Sequence, residues 1–266
     1  MKLEEKVDEY LRDRIVITDN MSLEYLLEVE GYCPKCGKYL LRPKGNSMHK
    51  EYEIAHIYPN SPTKKEKEEL KGLERLGTDC EDFKNKIALC RSCHRYYDDN
   101  KNKKEYIELV EIKKLLLKRA STKKKISKVE IEEEIRLIIK DIANVSGEEI
   151  ANLKLEYKAL KISKKIENKY LMLKLKVESF ACNYFNFIRE TFKNYENQGI
   201  TDFDVVAHEV KLAFINCSKS NKDKGDIFNL MVEWLKSKTQ NSSTEACEVL
   251  ISFFIQDCEV FNEITE

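Results

Sequence analysis

The chain has 266 residues, with 47 Lys+Arg against 47 Asp+Glu and therefore a formal net charge of zero. It contains 8 Gly, 4 Pro and 42% hydrophobic residues, which favours long helices over turn-rich folds and excludes a wholly disordered or collagen-like chain. No apolar run reaches the roughly 18 residues of a membrane span, and the charged start MKLEEKVDEY reads against a secretory signal, so a cytoplasmic protein is expected.

Taken in chain order, residues 3–14 and 22–30 read as short helices. Two strand-like stretches, 39–42 and 52–57, flank a turn containing Pro43 and Gly45, as a hairpin requires. A polar helix is expected over about 63–76, another from about 91, and a packed helix over 105–118. From 126 onward the pattern is helical almost throughout. Ser146 with Glu149 forms a capping-box signature for a helix running, with breaks, to about 196, where Asn197-Gln198-Gly199 ends it. Further helices fit 202–218, 224–238 and 243–262, the last opened by Ser242 with Glu245.

The charge is unevenly spread. Residues 1–130 hold 29 bases and 24 acids, residues 131–266 hold 18 and 23, and the last 26 residues carry six acids and no base. Neutrality is thus the cancellation of a mildly basic half by an acidic one, and an acidic tail that covers the basic half is one reading of it. The sharpest basic block, Lys113 to Lys128, reads either as a DNA-contacting stretch or as a solvated helix face.

Nine cysteines, an odd number, argue against a disulfide scaffold. Cys33-Pro34-Lys35-Cys36 and Cys90-Arg91-Ser92-Cys93 repeat one spacing. A two-residue gap lets a tight turn aim both thiolates at one ion, and two such turns complete a tetrahedral Zn2+ site. Gly37 relieves the first turn. Cys182, Cys217, Cys247 and Cys258 read as small buried hydrophobes, and Cys80 as a stray thiol in a polar stretch. His49 and His208 have no partners in the pattern and read as surface or packing residues.

Between and just after the pairs stand His56, on the second strand in Glu53-Ile54-Ala55-His56-Ile57-Tyr58-Pro59; Asn85, in Asn85-Lys86-Ile87-Ala88-Leu89-Cys90; and His94, directly after Cys93. Asp98 follows four residues later, and i and i+4 share a helix face, so His94 and Asp98 can converge on one metal ion outside the cysteine site. This order of residues resembles the HNH endonuclease family over about Cys33 to Asp98. The resemblance implies a ββα-metal core in which His56 is the general base, Asn85 holds the loop bearing it, and His94 binds the catalytic metal. A neutral imidazole suits proton abstraction from water, and Mg2+ or another divalent ion suits charge on the phosphate. Many members place a metal-binding side chain just before the base histidine, where this chain has Ala55. That leaves His94, Asp98 and a nearby acid or water, Glu53 being disfavoured by its expected place on the opposite strand face. Arg91 and Arg95, flanking His94, are suited to phosphate contact.

The helical half carries no catalytic motif, and its apolar ending, Val249 to Phe261, reads as a core helix or a docking surface. This region resembles the C-terminal domains of bacterial three-component defence systems built around an ABC-type ATPase, which implies an effector restrained until its partner signals. The expected fold is α+β: an HNH nuclease domain with structural zinc over 1–118, a basic connection over 119–145, and an all-α regulatory or partner-binding domain over 146–266. The expected function is DNA cleavage under an ABC-type ATPase partner, with oligomerisation left open. The alternatives are a stand-alone restriction or mobile-element nuclease, and a non-catalytic zinc-stabilised module that binds DNA or a partner.

Overall fold

The computed structural model describes residues 8–129, 131, 135–151, 153, 162–240, 242–257 and 260–261. The chain divides into two compact units, Met1–Ala120 and Ser121–Glu266, each with its own hydrophobic core.

In the first unit, residues 8–14 are a turn followed by extended chain, a correction to the helix expected over 3–14; residues 3–7 lie outside the described residues. The backbone groups that would close helical turns bond elsewhere. Cys80 N donates to Tyr10 O at 2.8 Å, Arg12 N to Cys80 Sγ at 3.1 Å, and Ile15 N to Glu81 Oε2 at 3.0 Å. This strap ends at Thr18, whose side chain caps α1, Asp19–Glu28.

The hairpin expected between 39–42 and 52–57 is replaced by two separate pairs. β1, Leu41–Lys44, pairs antiparallel with β2, Ser47–Lys50, around Gly45 at φ +61°. β3, Tyr52–His56, pairs antiparallel with β4, Lys86–Cys90, in a register that sets His56 opposite Lys86 and Tyr52 opposite Cys90. Burial explains the choice. β1 and β2 are exposed almost throughout, whereas every residue of β4 is buried. Backbone amides at that depth need internal partners, and β3 supplies them.

α2 is only Lys64–Glu69, opened by a Thr63–Glu66 capping box; Gly72 at φ +73° turns the chain well before residue 76. β4 runs directly into α3, Arg91–Asp99. α4 spans Lys103–Ile126, so most of the basic stretch expected as a junction is helical.

The second unit is all-helical among the described residues. α5 is Ile135–Asn144, and α6, Gly147–Ala151, is opened by the expected Ser146–Glu149 box, with Glu149 N donating to Ser146 Oγ and Ser146 N to Glu149 Oε2. The helix expected to run with breaks to 196 is interrupted among the described residues: short 3-10 turns at Ile162–Lys164 and Asn168–Tyr170 precede α7, Leu171–Asn197. α8 is Phe203–Ser220 and α9 is Lys224–Lys238. α10, Thr244–Gln256, is capped by Ser243, which accepts from Ala246 N, rather than by Ser242.

α10 packs against α5, α7 and α9. From Val249 to Gln256 it is buried without interruption, the pattern of a helix covered on every side. Its apolar sequence is therefore core, with Phe253 at 5.0 Å from Phe185 and Phe254 stacked on Phe203. Cys217 and Cys247 are buried here as expected. Cys258, Glu259, Glu263 and Glu266 of the acidic end lie outside the described residues. Among the described residues no helix is long and apolar enough to cross a membrane.

Candidate functional site

His56 closes β3 with its side chain 10% exposed, and directly across the ladder stands Lys86, 1% exposed. Residues facing one another across a pair point to the same side of the sheet, and both reach Glu81. His56 Nε2 lies 2.7 Å from Glu81 Oε1, and Lys86 Nζ lies 2.5 Å from Glu81 Oε2. Asn60 Nδ2 donates to Oε1 at 3.0 Å and Ile15 N to Oε2 at 3.0 Å. The Glu81 carboxyl is itself 2% exposed. Burial opposes its ionisation, but the Lys86 ammonium and the Ile15 and His56 N–H groups prevail and pull its pKa down to about 2. Burial lowers the pKa of His56 below its ordinary value, outweighing Glu81. The imidazole is thus neutral at pH 7 beside an ionised carboxylate.

Asn85 is completely buried. Its Oδ1 accepts from Tyr58 N at 2.8 Å, its Nδ2 donates to Tyr58 O at 2.9 Å and to Cys80 O at 2.8 Å, and its backbone O accepts from Ile57 N at 2.8 Å. One side chain thereby ties the segment after His56 to the segment before Glu81.

His94 sits on the first turn of α3. Its Nδ1 is 2.6 Å from Glu53 Oε2 on β3, and its Nε2 is 3.4 Å from Asp98 Oδ2. The helix thus brings His94 and Asp98 together as the i, i+4 spacing predicts. Glu53, disfavoured by strand alternation, is His94's closest carboxylate. Glu53 is exposed and lies by alternation on the strand face opposite His56, where it meets His94 of α3. A carboxylate at Nδ1 and another on the Nε2 side is the arrangement in which, were an ion held by Nε2 and Asp98, Glu53 would orient the ligating imidazole through Nδ1.

Cys33, Cys36, Cys90 and Cys93 place their four sulfurs within 4.8 Å of one another. Cys33 N donates to Lys38 O and Gly37 N to Cys33 O, both at 2.8 Å, closing the first knuckle, with Gly37 at φ +70°. The second pair straddles the β4–α3 junction, where Cys90 caps α3. Sulfurs held tetrahedrally at about 2.3 Å from zinc stand roughly 3.8 Å apart, and Cys36 Sγ to Cys90 Sγ is 3.6 Å. Donor type, number and spacing fit a structural metal such as zinc.

Other expectations fare differently. Arg91 and Arg95 are exposed on α3, with Arg91 Nη2 donating to Lys50 O at 3.2 Å. Lys113 of the basic block is fully buried, with Nζ 2.6 Å from Glu28 and 4.0 Å above the Phe83 ring. It is a packing residue and is removed from any DNA-facing set. Lys114 pairs with Glu74 and Glu111, and Lys123 with Glu233. Cys80 is buried against the strap, not a stray thiol. Glu81 and Lys86 were missed. A Glu 25 residues beyond a His carries no spacing signal, and only the β3–β4 register reveals the pairing.

One protein family, described as C-terminal domain 11 of the ABC-three component (ABC-3C) systems, matches residues 122–261. That is more than half of the chain, and it falls within the second unit. The chain belongs to this family. The resemblance read from the C-terminal half is borne out, and the ABC-3C domain is the helical unit whose core is α10. No curated protein and no solved structure matches the chain.

Proposed function

We propose that the protein is the effector of an ABC-3C antiphage system and that its first unit is a metal-dependent HNH-type endonuclease acting on DNA, controlled by an ABC-type ATPase partner. Membership of the ABC-3C family supports the system and the partner. The observation that carries the nuclease reading is topological: an antiparallel pair, β3–β4, leads directly into α3, with His56 on the first strand, His94 and Asp98 on the helix, and a thiol quartet across the strand–helix junction.

In this reading a neutral His56 takes a proton from water as the water oxygen bonds to phosphorus. The bond from phosphorus to the 3′ oxygen breaks with its electron pair on that oxygen, which takes a proton from solvent. Asn85 keeps the segment after His56 in place. His94 Nε2 and Asp98 would hold a divalent ion, with Glu53 orienting the imidazole; when bound, that ion supplies charge stabilisation to the phosphate and the leaving oxygen. Arg91 and Arg95 add phosphate contacts beside it. The cysteine quartet holds a structural zinc.

The test is cleavage of plasmid DNA by the full chain, with Mg2+ or Mn2+, alone and with an ABC-type ATPase of its own system. Wild type is expected to nick or linearise DNA, and His56→Ala to abolish this with zinc content unchanged. Cleavage that survives His56→Ala overturns the mechanism. A wild type inert with every metal and partner points instead to a zinc-stabilised binding module.

A further inference from the structure

A general base must present a lone pair to the water it deprotonates, and a neutral imidazole has one lone pair and one N–H. Which nitrogen carries the proton is decided by the partner of the other. His56 Nε2 faces Glu81 Oε1 at 2.7 Å. Glu81 is ionised, so it can only accept, and the proton on His56 must lie on Nε2. Nδ1 is then the basic atom.

The surroundings keep that choice from becoming a trap. A bare carboxylate against an imidazole would hold it as a charged pair at neutral pH. Here the charge of Glu81 is already matched by Lys86 from β4, and its oxygens are further occupied by Asn60 and by the backbone of Ile15. Arg14 of the strap adds a second positive charge near the ring. Glu81, Lys86 and Arg14 are the charged groups facing His56 from the loop, β4 and the strap. Their balance leaves the ring oriented but unprotonated.

We propose that Glu81 is the positioning residue of His56: it fixes the imidazole as the Nε2–H tautomer and leaves Nδ1 to receive the proton of the attacking water, while Lys86 cancels its charge. This deepens the nuclease reading and rests on it for the identity of the base, but the tautomer rests on the His56–Glu81 contact and the charge Lys86 stabilises on Glu81, whatever the reaction.

Two measurements separate the two claims. The full chain contains 4 His, so 15N-histidine labelling gives a short spectrum in which His56 is identified by its loss in His56→Ala. At neutral pH, Nε2 of His56 should be protonated and Nδ1 unprotonated, and Glu81→Gln should weaken that preference. A dominant Nδ1–H form, or an even mixture in wild type, overturns the proposal whatever the enzyme does. In cleavage assays, Glu81→Gln should lower kcat on the order of 100-fold, the lower end of what a positioned base contributes, with KM little changed. It should also move the acid limb of the pH profile to lower pH, because the ring loses its anion and keeps Lys86. Glu81→Asp should recover part of the rate. A Glu81→Gln enzyme with wild-type profile and rate, or one whose loss tracks loss of zinc and of thermal stability, reduces Glu81 to a structural residue and overturns the proposal. A wild type that never cleaves overturns the nuclease reading and the catalytic purpose of the pair, and the spectrum then judges only the geometry.

Discussion

The buried ion pair Lys113–Glu28 sets two unit charges 2.6 Å apart with almost no solvent contact, beneath the rings of Tyr25 and Phe83. Burial pushes the Glu28 pKa up and the Lys113 pKa down, each countered by the other partner. Removing one charge strands the other, so Lys113→Met alone should destabilise the first unit by about 3–5 kcal/mol, while adding Glu28→Gln should recover most of it. Urea unfolding of the single and double variants measures this, and additive losses would show that the pair is uncoupled. Acid should act through Glu81 and His56 with the same sign. Both have folded pKa values below their ordinary ones, so each contributes stability that is complete above its unfolded pKa and is lost as pH falls through the folded value. For Glu81 that window runs from about pH 4.5 down to about 2. Glu81→Gln should flatten the acid-unfolding curve of the first unit within that window, as followed by near-ultraviolet circular dichroism.

At the scale of elements, the segment after β3 depends on one side chain. Asn85→Ala leaves Tyr58 N, Tyr58 O and Cys80 O without their partner, and each stranded buried group costs about 1–3 kcal/mol. Amide exchange at Tyr58 should rise sharply in that variant, and unchanged protection there would show that the clamp is dispensable. In the second unit α10 is the central helix. Phe253, 1% exposed among Phe185, Phe192 and Phe203, should cost about 3–5 kcal/mol on truncation to Ala. That loss is measurable by denaturant titration of the helical signal.

At the scale of the molecule, two cores that share no residues should melt separately. The first unit surrounds the thiol quartet, while the second holds no such group among its described residues. Chelation, or Cys93→Ser, should therefore lower only one of two calorimetric transitions, and metal analysis should return about one zinc per chain. A single transition that moves as a whole would contradict this. The zero net charge conceals the same division, since bases exceed acids in residues 1–130 and acids exceed bases beyond.

What the sequence determined by itself is what local spacing encodes. Two Cys-x-x-Cys knuckles, the i, i+4 pair His94 and Asp98, the Ser146–Glu149 cap and the apolar run of α10 depend on neighbours within a few residues or on repeated identical spacing. The C-terminal family was legible for the same reason, as a continuous stretch of sequence. What only the tertiary structure decided lies between distant segments. β3 chose β4 over the nearer strand because a fully buried strand must satisfy its backbone. That register set Lys86 opposite His56 and so built the site around Glu81. α3, folding back over β3, brought Glu53 to His94, and the strap gave up its helix to bond the 76–81 loop. Lys113 left the basic block for the same kind of reason: a position on α4 facing Glu28 buries it, and no composition of the block foretells which of its lysines faces inward.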